Sequence, residues 1–114
     1  MLRGYSAFSR CLAVLMVWFW CAGSVLAAGW THVPAQNLAG LKLNYGEAWQ
    51  DFRTTGRTLY NAGEDSWGYW REEGGRYCSQ WPPGNEWTCY DVERNGNEIR
   101  FIDDSGHKTI GVIE

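Results

Sequence analysis

The sequence predicts an all-β domain, a small antiparallel β-meander curling into a partly open barrel, preceded by a short irregular or helical segment. Three observations carry this. Beyond Phe52, short runs rich in aromatic and β-branched residues recur, each the length of one strand. Turn chemistry separates them, including Gly74-Gly75, Pro82-Pro83-Gly84-Asn85 and Asn95-Gly96. Links this brief join antiparallel neighbours, because a parallel return needs a crossover of about a dozen residues or more.

Size and charge narrow the function classes. The chain has 114 residues, eight Trp, 14 Gly, four Cys and a formal charge of −3, enough for one small domain. A hydrophobic content of 45% with 20% charged residues marks a globular chain and not a disordered one. The acidic balance and the lack of any Lys/Arg run argue against a nucleic-acid partner.

Residues 1–27 read as a secretory signal peptide. Arg3 and Arg10 supply the positive start, residues 11–22 the apolar run, and Val25-Leu26-Ala27 a small-residue exit with cleavage after Ala27. The alternative is an anchor retained over residues 11–28, whose 18 mostly apolar residues stand at the lower limit for a spanning helix. Gly23-Ser24 interrupts that run and favours cleavage, which places the mature protein in the periplasm or outside the cell with no membrane attachment. Beyond residue 27 there are eight Lys/Arg against thirteen Asp/Glu, a net charge of −5, and six Trp. Only two cysteines remain there, Cys78 and Cys89.

Residues 28–52 read as a lead-in. Leu38, Leu41, Tyr45 and Trp49 recur at helical intervals, but Gly40 and Gly46 limit them to short helical turns. The meander itself spans residues 53–114, with strands at 57–61, 66–72, 76–81, 86–94, 98–103 and 108–113. Taking Asn95-Gly96 as a two-residue hairpin loop pairs Val92 with Ile99 and Tyr90 with Phe101. That register puts these four on one face and sets Asp91 against Arg100 on the other. Centring the preceding turn on Pro83-Gly84 sets Cys78 opposite Cys89, a pairing that an oxidising compartment turns into a structural disulfide. A redox or metal role for the pair has less behind it, since the spacing is neither CxxC nor a zinc knuckle.

The catalytic inventory is thin. The only histidines are His32, in the lead-in beside Pro34, and His107, in a turn after Ser105-Gly106, and both read as solvated surface histidines. No nucleophile elbow, zinc-protease motif, phosphate loop or dinucleotide fingerprint is present, so no catalytic residue, metal ligand or cofactor is assigned. The carboxylate pairs Glu64-Asp65, Glu72-Glu73 and Asp103-Asp104 fall at turns or strand edges, where charge discourages aggregation. Aromatic residues are the stronger signal. Trp67, Tyr69, Trp70, Trp81 and Trp87 crowd one stretch, and strand alternation prevents them all from facing one core. They are therefore the candidate ligand-binding residues, as a stacking surface beside their plainer role as core filling.

The segments Ser66-Trp67-Gly68-Tyr69-Trp70, Tyr77-Cys78-Ser79-Gln80-Trp81-Pro82-Pro83 and Trp87-Thr88-Cys89-Tyr90-Asp91-Val92 carry a family resemblance. Over residues 54–114 the chain resembles small exported bacterial proteins of a domain-of-unknown-function family, marked by a G-x-W segment and a paired-cysteine hairpin. The resemblance implies the fold and a disulfide role for Cys78 and Cys89, and transfers no activity.

The expectation is a non-enzymatic exported domain that binds a small ligand, a glycan or an envelope protein through an aromatic concavity. The alternatives are an envelope hydrolase using His107 with a nearby carboxylate, and a structural or inhibitory module acting through Pro82–Asn85 or an edge strand.

Overall fold

A computed structural model describes residues 29–114. The signal-peptide reading of residues 1–27 and the anchor alternative over 11–28 lie outside the described residues. Nine strands follow one another: β1 (Thr31–His32), β2 (Lys42–Asn44), β3 (Trp49–Phe52), β4 (Arg57–Asn61), β5 (Asp65–Glu73), β6 (Arg76–Gln80), β7 (Thr88–Asn95), β8 (Glu98–Ile102) and β9 (Lys108–Ile113). A 3₁₀ turn, Ala35–Leu38, lies between β1 and β2. Every pairing is antiparallel, and from β2 to β9 each strand pairs with the next in sequence.

The predicted all-β meander is present, and it closes. β9 returns to β2 through Leu43↔Ile113 and Asn44↔Val112, so eight strands form a complete barrel with no free edge. β1 adds a short ninth strand along β7, at Thr31↔Arg94 and His32↔Glu93, beyond the stretch that β6 covers.

Closure depends on the segment read as a lead-in, and here the sequence reading needs correction. Residues 28–52 hold three strands as well as the 3₁₀ turn, so the barrel does not begin at residue 53. Gly46, taken as a weak point in a helical pattern, instead sits in a hairpin turn at φ 106°, where Tyr45 N–H donates to the Ala48 carbonyl at 2.8 Å and the Asn44 side chain accepts from Gly46 N–H at 2.7 Å. The helical spacing of Leu38, Leu41 and Tyr45 arises because turn and strand alike direct them at the same core.

The 3₁₀ turn plugs one end of the barrel. Ala35 N–H donates to the Gly75 carbonyl in the β5–β6 turn, and Gly40 N–H to the Phe52 carbonyl at the end of β3. This brings fully buried Ala35 and Leu38 onto Leu43, Phe52, Val92 and Ile99. Phe52 sits among aromatic edges, with ring centroids 5.8 Å from Trp70 and 5.6 Å from Tyr77, both near perpendicular.

Both hairpins singled out in the sequence are present. Cys78 lies opposite Cys89 and is bonded to it. The β7–β8 turn has slid by one residue, so Asn95 pairs with Glu98 and the loop is Gly96-Asn97. Val92 therefore faces Phe101 and not Ile99, and the outward ion pair is Glu93–Arg100 in place of Asp91–Arg100. Each residue's partner moves by two positions, which preserves the side-chain parity, so Val92, Ile99 and Phe101 still point into the core.

Candidate functional site

At the end opposite the 3₁₀ plug the barrel opens into a hollow of about 800 Å³. Strand alternation builds it, because residues on one parity of each strand face inward. β3 supplies Gln50, β4 Tyr60, β5 Ser66, β6 Tyr77 and Ser79, β7 Tyr90, β8 Phe101 and β9 Thr109. Tyr45 enters from the β2–β3 turn and Trp81 from the end of β6, while Asp65, Trp67 and Pro82 reach its margin. A smaller hollow of about 380 Å³ adjoins it at the β4–β5 turn, sharing Tyr60 and Ser66 and including Glu64.

Two inward glycines make room for the large rings. A side chain at Gly68 would meet the Trp81 ring at 2.6 Å, and one at Gly111 would meet the Tyr45 ring at 2.8 Å. Each ring lies against bare backbone, so the β-carbon that glycine lacks becomes space for an indole or a phenol. The rings then meet one another, with Tyr60 6.2 Å from Trp81 and 6.3 Å from Tyr45 by centroid.

A polar network forms the floor. Gln50 is buried, and its Nε2 donates to Thr58 Oγ1 at 2.9 Å and to the Tyr77 hydroxyl at 3.1 Å. Its Oε1 accepts from the Tyr45 hydroxyl at 2.8 Å. Thr58 passes its own proton to the Asp51 carbonyl at 2.6 Å and is thereby left to accept from Gln50, whose two amide protons are both used. Trp81 Nε1 donates to Ser79 Oγ at 3.2 Å and orients the indole. Burial pushes the Tyr45 phenol far above its ordinary value, with the nearby Tyr77 adding to the rise. The Tyr77 phenol also rises through burial, although hydrogen bonds from Ser79 and Gln50 oppose the shift. Tyr90 rises through burial first and through the charge of Asp103 second. These phenols remain neutral, so inside the Asp65 margin the hollow is lined with uncharged hydroxyl groups and ring faces.

The aromatic candidates divide three ways. Trp81 lines the hollow. Trp70 is a core residue of the plugged half, with its Nε1 donating to the Arg53 carbonyl at 2.9 Å. Trp67, Tyr69 and Trp87 belong to the outer face, where each ring carries a guanidinium: Arg53 and Arg57 over Trp67, Arg57 over Tyr69 and Arg71 over Trp87. The five therefore do not form one concavity. The ring surface inside the barrel comes mainly from Tyr45, Tyr60, Tyr77, Tyr90 and Phe101, which sequence reasoning did not select. A usable signal was present, since Tyr60, Tyr77 and Tyr90 occupy the inward parity of β4, β6 and β7.

Other candidates are placed as well. His107 lies in the β8–β9 turn, where Asp103 accepts from its backbone N–H and from both the N–H and the hydroxyl of Ser105. Those bonds hold the Asp103 carboxyl below its usual range and commit it to shaping the turn. Glu73 approaches Cys78 and Cys89, but sulfurs joined in a disulfide present no thiolate to a metal. No helix among the described residues is long and apolar enough to cross a membrane. The chain matches no family model, no curated protein and no solved structure.

Proposed function

We propose that this protein is a non-enzymatic, exported binding protein that holds one small molecule inside its barrel. The observation that carries the reading is the hollow of about 800 Å³, closed on one side by a packed core and lined by rings and hydroxyls. Ligand pockets are commonly about 300–1,000 Å³, apolar in the main and with a few placed polar groups. Small barrels of eight strands have interiors that side chains fill or that admit one small ligand. Here side chains fill only one half.

Export is supported by the disulfide, which persists in oxidising compartments. A position off the membrane is supported by the outward face of the strands, where Lys42, Asp51, Arg71, Glu93 and Arg100 would oppose contact with lipid.

Titration with a neutral, environment-sensitive naphthalene dye tests the proposal. One dye per chain is expected, with quenching of Trp81. Ser66→Trp places an indole in the hollow at an exposed inward position, and should abolish dye binding while leaving the melting temperature within about 4 °C of the parent. Dye binding that survives Ser66→Trp would sink the reading.

A second reading, contact with an envelope protein through the outer face, is favoured by the exposure of Trp67 (40%) and Tyr69 (43%). Under it, Tyr69→Ser, which lies off the hollow, removes partner capture and leaves dye binding intact.

A further inference from the structure

We infer that the hollow takes an organic cation, a protonated amine or quaternary ammonium carried on an apolar or aromatic body. This deepens the binding-protein reading and rests on it. The first argument is the treatment of rings on the two faces of the sheet. Outside, Trp30 is covered by Arg100 at 4.1 Å, Trp49 by Lys42 at 4.3 Å and Trp87 by Arg71 at 3.8 Å, while Trp67 lies between two arginines. Inside, no Lys, Arg or His lines the hollow among the described residues, and the rings of Tyr45, Tyr60 and Trp81 meet only one another. The barrel supplies its outer rings with cations and leaves the inner ones for a ligand. Attraction between a cation and a ring face strengthens as water is excluded, so the inner rings are the better sites.

Charge at the mouth points the same way. Asp65 stands at the margin of the hollow and Glu64 in the depression adjoining it. Carboxylates around a low-dielectric opening raise the local concentration of cations and repel anions. An anionic ligand would leave solvent for a site with no basic group in its wall, at a large desolvation cost.

The polar floor supplies acceptors. Tyr45 lines the hollow and spends its proton on Gln50, so its oxygen keeps acceptor capacity for an ammonium N–H. A quaternary ammonium would use the ring faces alone.

Three probes with one naphthalene body separate the possibilities: 2-naphthylmethylammonium, 2-naphthylmethanol and 2-naphthoate, titrated calorimetrically into the exported protein purified without reduction. The ammonium should bind about tenfold or more tightly than the alcohol, the carboxylate should be weakest, and added salt should reduce the preference. Tyr60→Phe keeps the ring and should hold ammonium affinity within about twofold, whereas Tyr60→Leu should lower it about fivefold or more with little change for the alcohol. Asp65→Asn should weaken the ammonium alone. If the alcohol or the carboxylate binds as tightly as the ammonium, the cation inference fails and the binding-protein reading stands. If neither these probes nor the neutral dye binds, both fail together.

Discussion

The two ends of this barrel are made from the same strands and differ in what fills them. At the plugged end Ala35 and Leu38 of the 3₁₀ turn close over Leu43, Phe52, Val92 and Ile99, all almost without solvent contact. At the other end the inward positions carry Tyr60, Ser66, Tyr90 and Thr109, and space remains. The difference shows how a domain of this size can be stable and still hold a cavity. Dense apolar packing is confined to one half, and a hydrogen-bonded floor through Gln50 separates it from a hollow whose walls need not touch.

Substitutions that distinguish the halves sharpen the comparison. Phe52→Ala removes the ring at the centre of the plugged half and should destabilise the fold by about 3–5 kcal/mol in urea denaturation. If the loss were under about 1 kcal/mol, the packed half would not be the source of stability. Next in size is the disulfide on the outer face. Replacing Cys78 and Cys89 together by Ser should cost about 2–3 kcal/mol through the freed loop of the unfolded chain, with the dye-binding stoichiometry kept in the folded fraction.

The floor between the halves comes third. Gln50→Leu strands the Tyr45 hydroxyl and removes one of the two hydrogen bonds to the Tyr77 phenol, and should cost about 1–3 kcal/mol while loosening the hollow. A floor that belonged only to the cavity would alter ligand affinity and leave the denaturation midpoint unmoved.

The smallest effect appears only at high pH. The folded phenols of Tyr45 and Tyr77 titrate above their ordinary value of 10.0, burial being the first cause in both. A raised folded value means the stability they contribute is complete below about pH 10 and is lost as pH rises toward the folded values. Ultraviolet titration should show these two phenolates appearing together with unfolding and not before it. Ionisation of Tyr45 and Tyr77 ahead of unfolding would mean that the hollow is open to bulk water down to its floor.

Much of the fold was legible because its cues are local. Strands β4 and β9 fall at the predicted 57–61 and 108–113, and Cys78 meets Cys89 because turn chemistry sets hairpin register. The one-residue slide of the β7–β8 loop left the inward face intact, since parity survives a partner change of two. β2 and β3 were not legible. Their short runs are interrupted by Gly46, and their spacing also satisfies a helical pattern. The candidate site was harder still. Trp67, Tyr69 and Trp87 drew attention through their size, yet they face outward to arginines, while the inward rings are mostly tyrosines spread from residue 45 to residue 90.

The sequence by itself determined the antiparallel order, the disulfide and the inward parity of most strands, because each follows from chain neighbours and short turns. Only the tertiary structure decided that the sheet closes, which end is plugged and which rings meet across the hollow. Those outcomes rest on contacts such as Leu43↔Ile113 and Gln50 to Tyr77, between residues far apart in the chain. Their energy is realised only when the last strand returns to the first, and no local pattern encodes it.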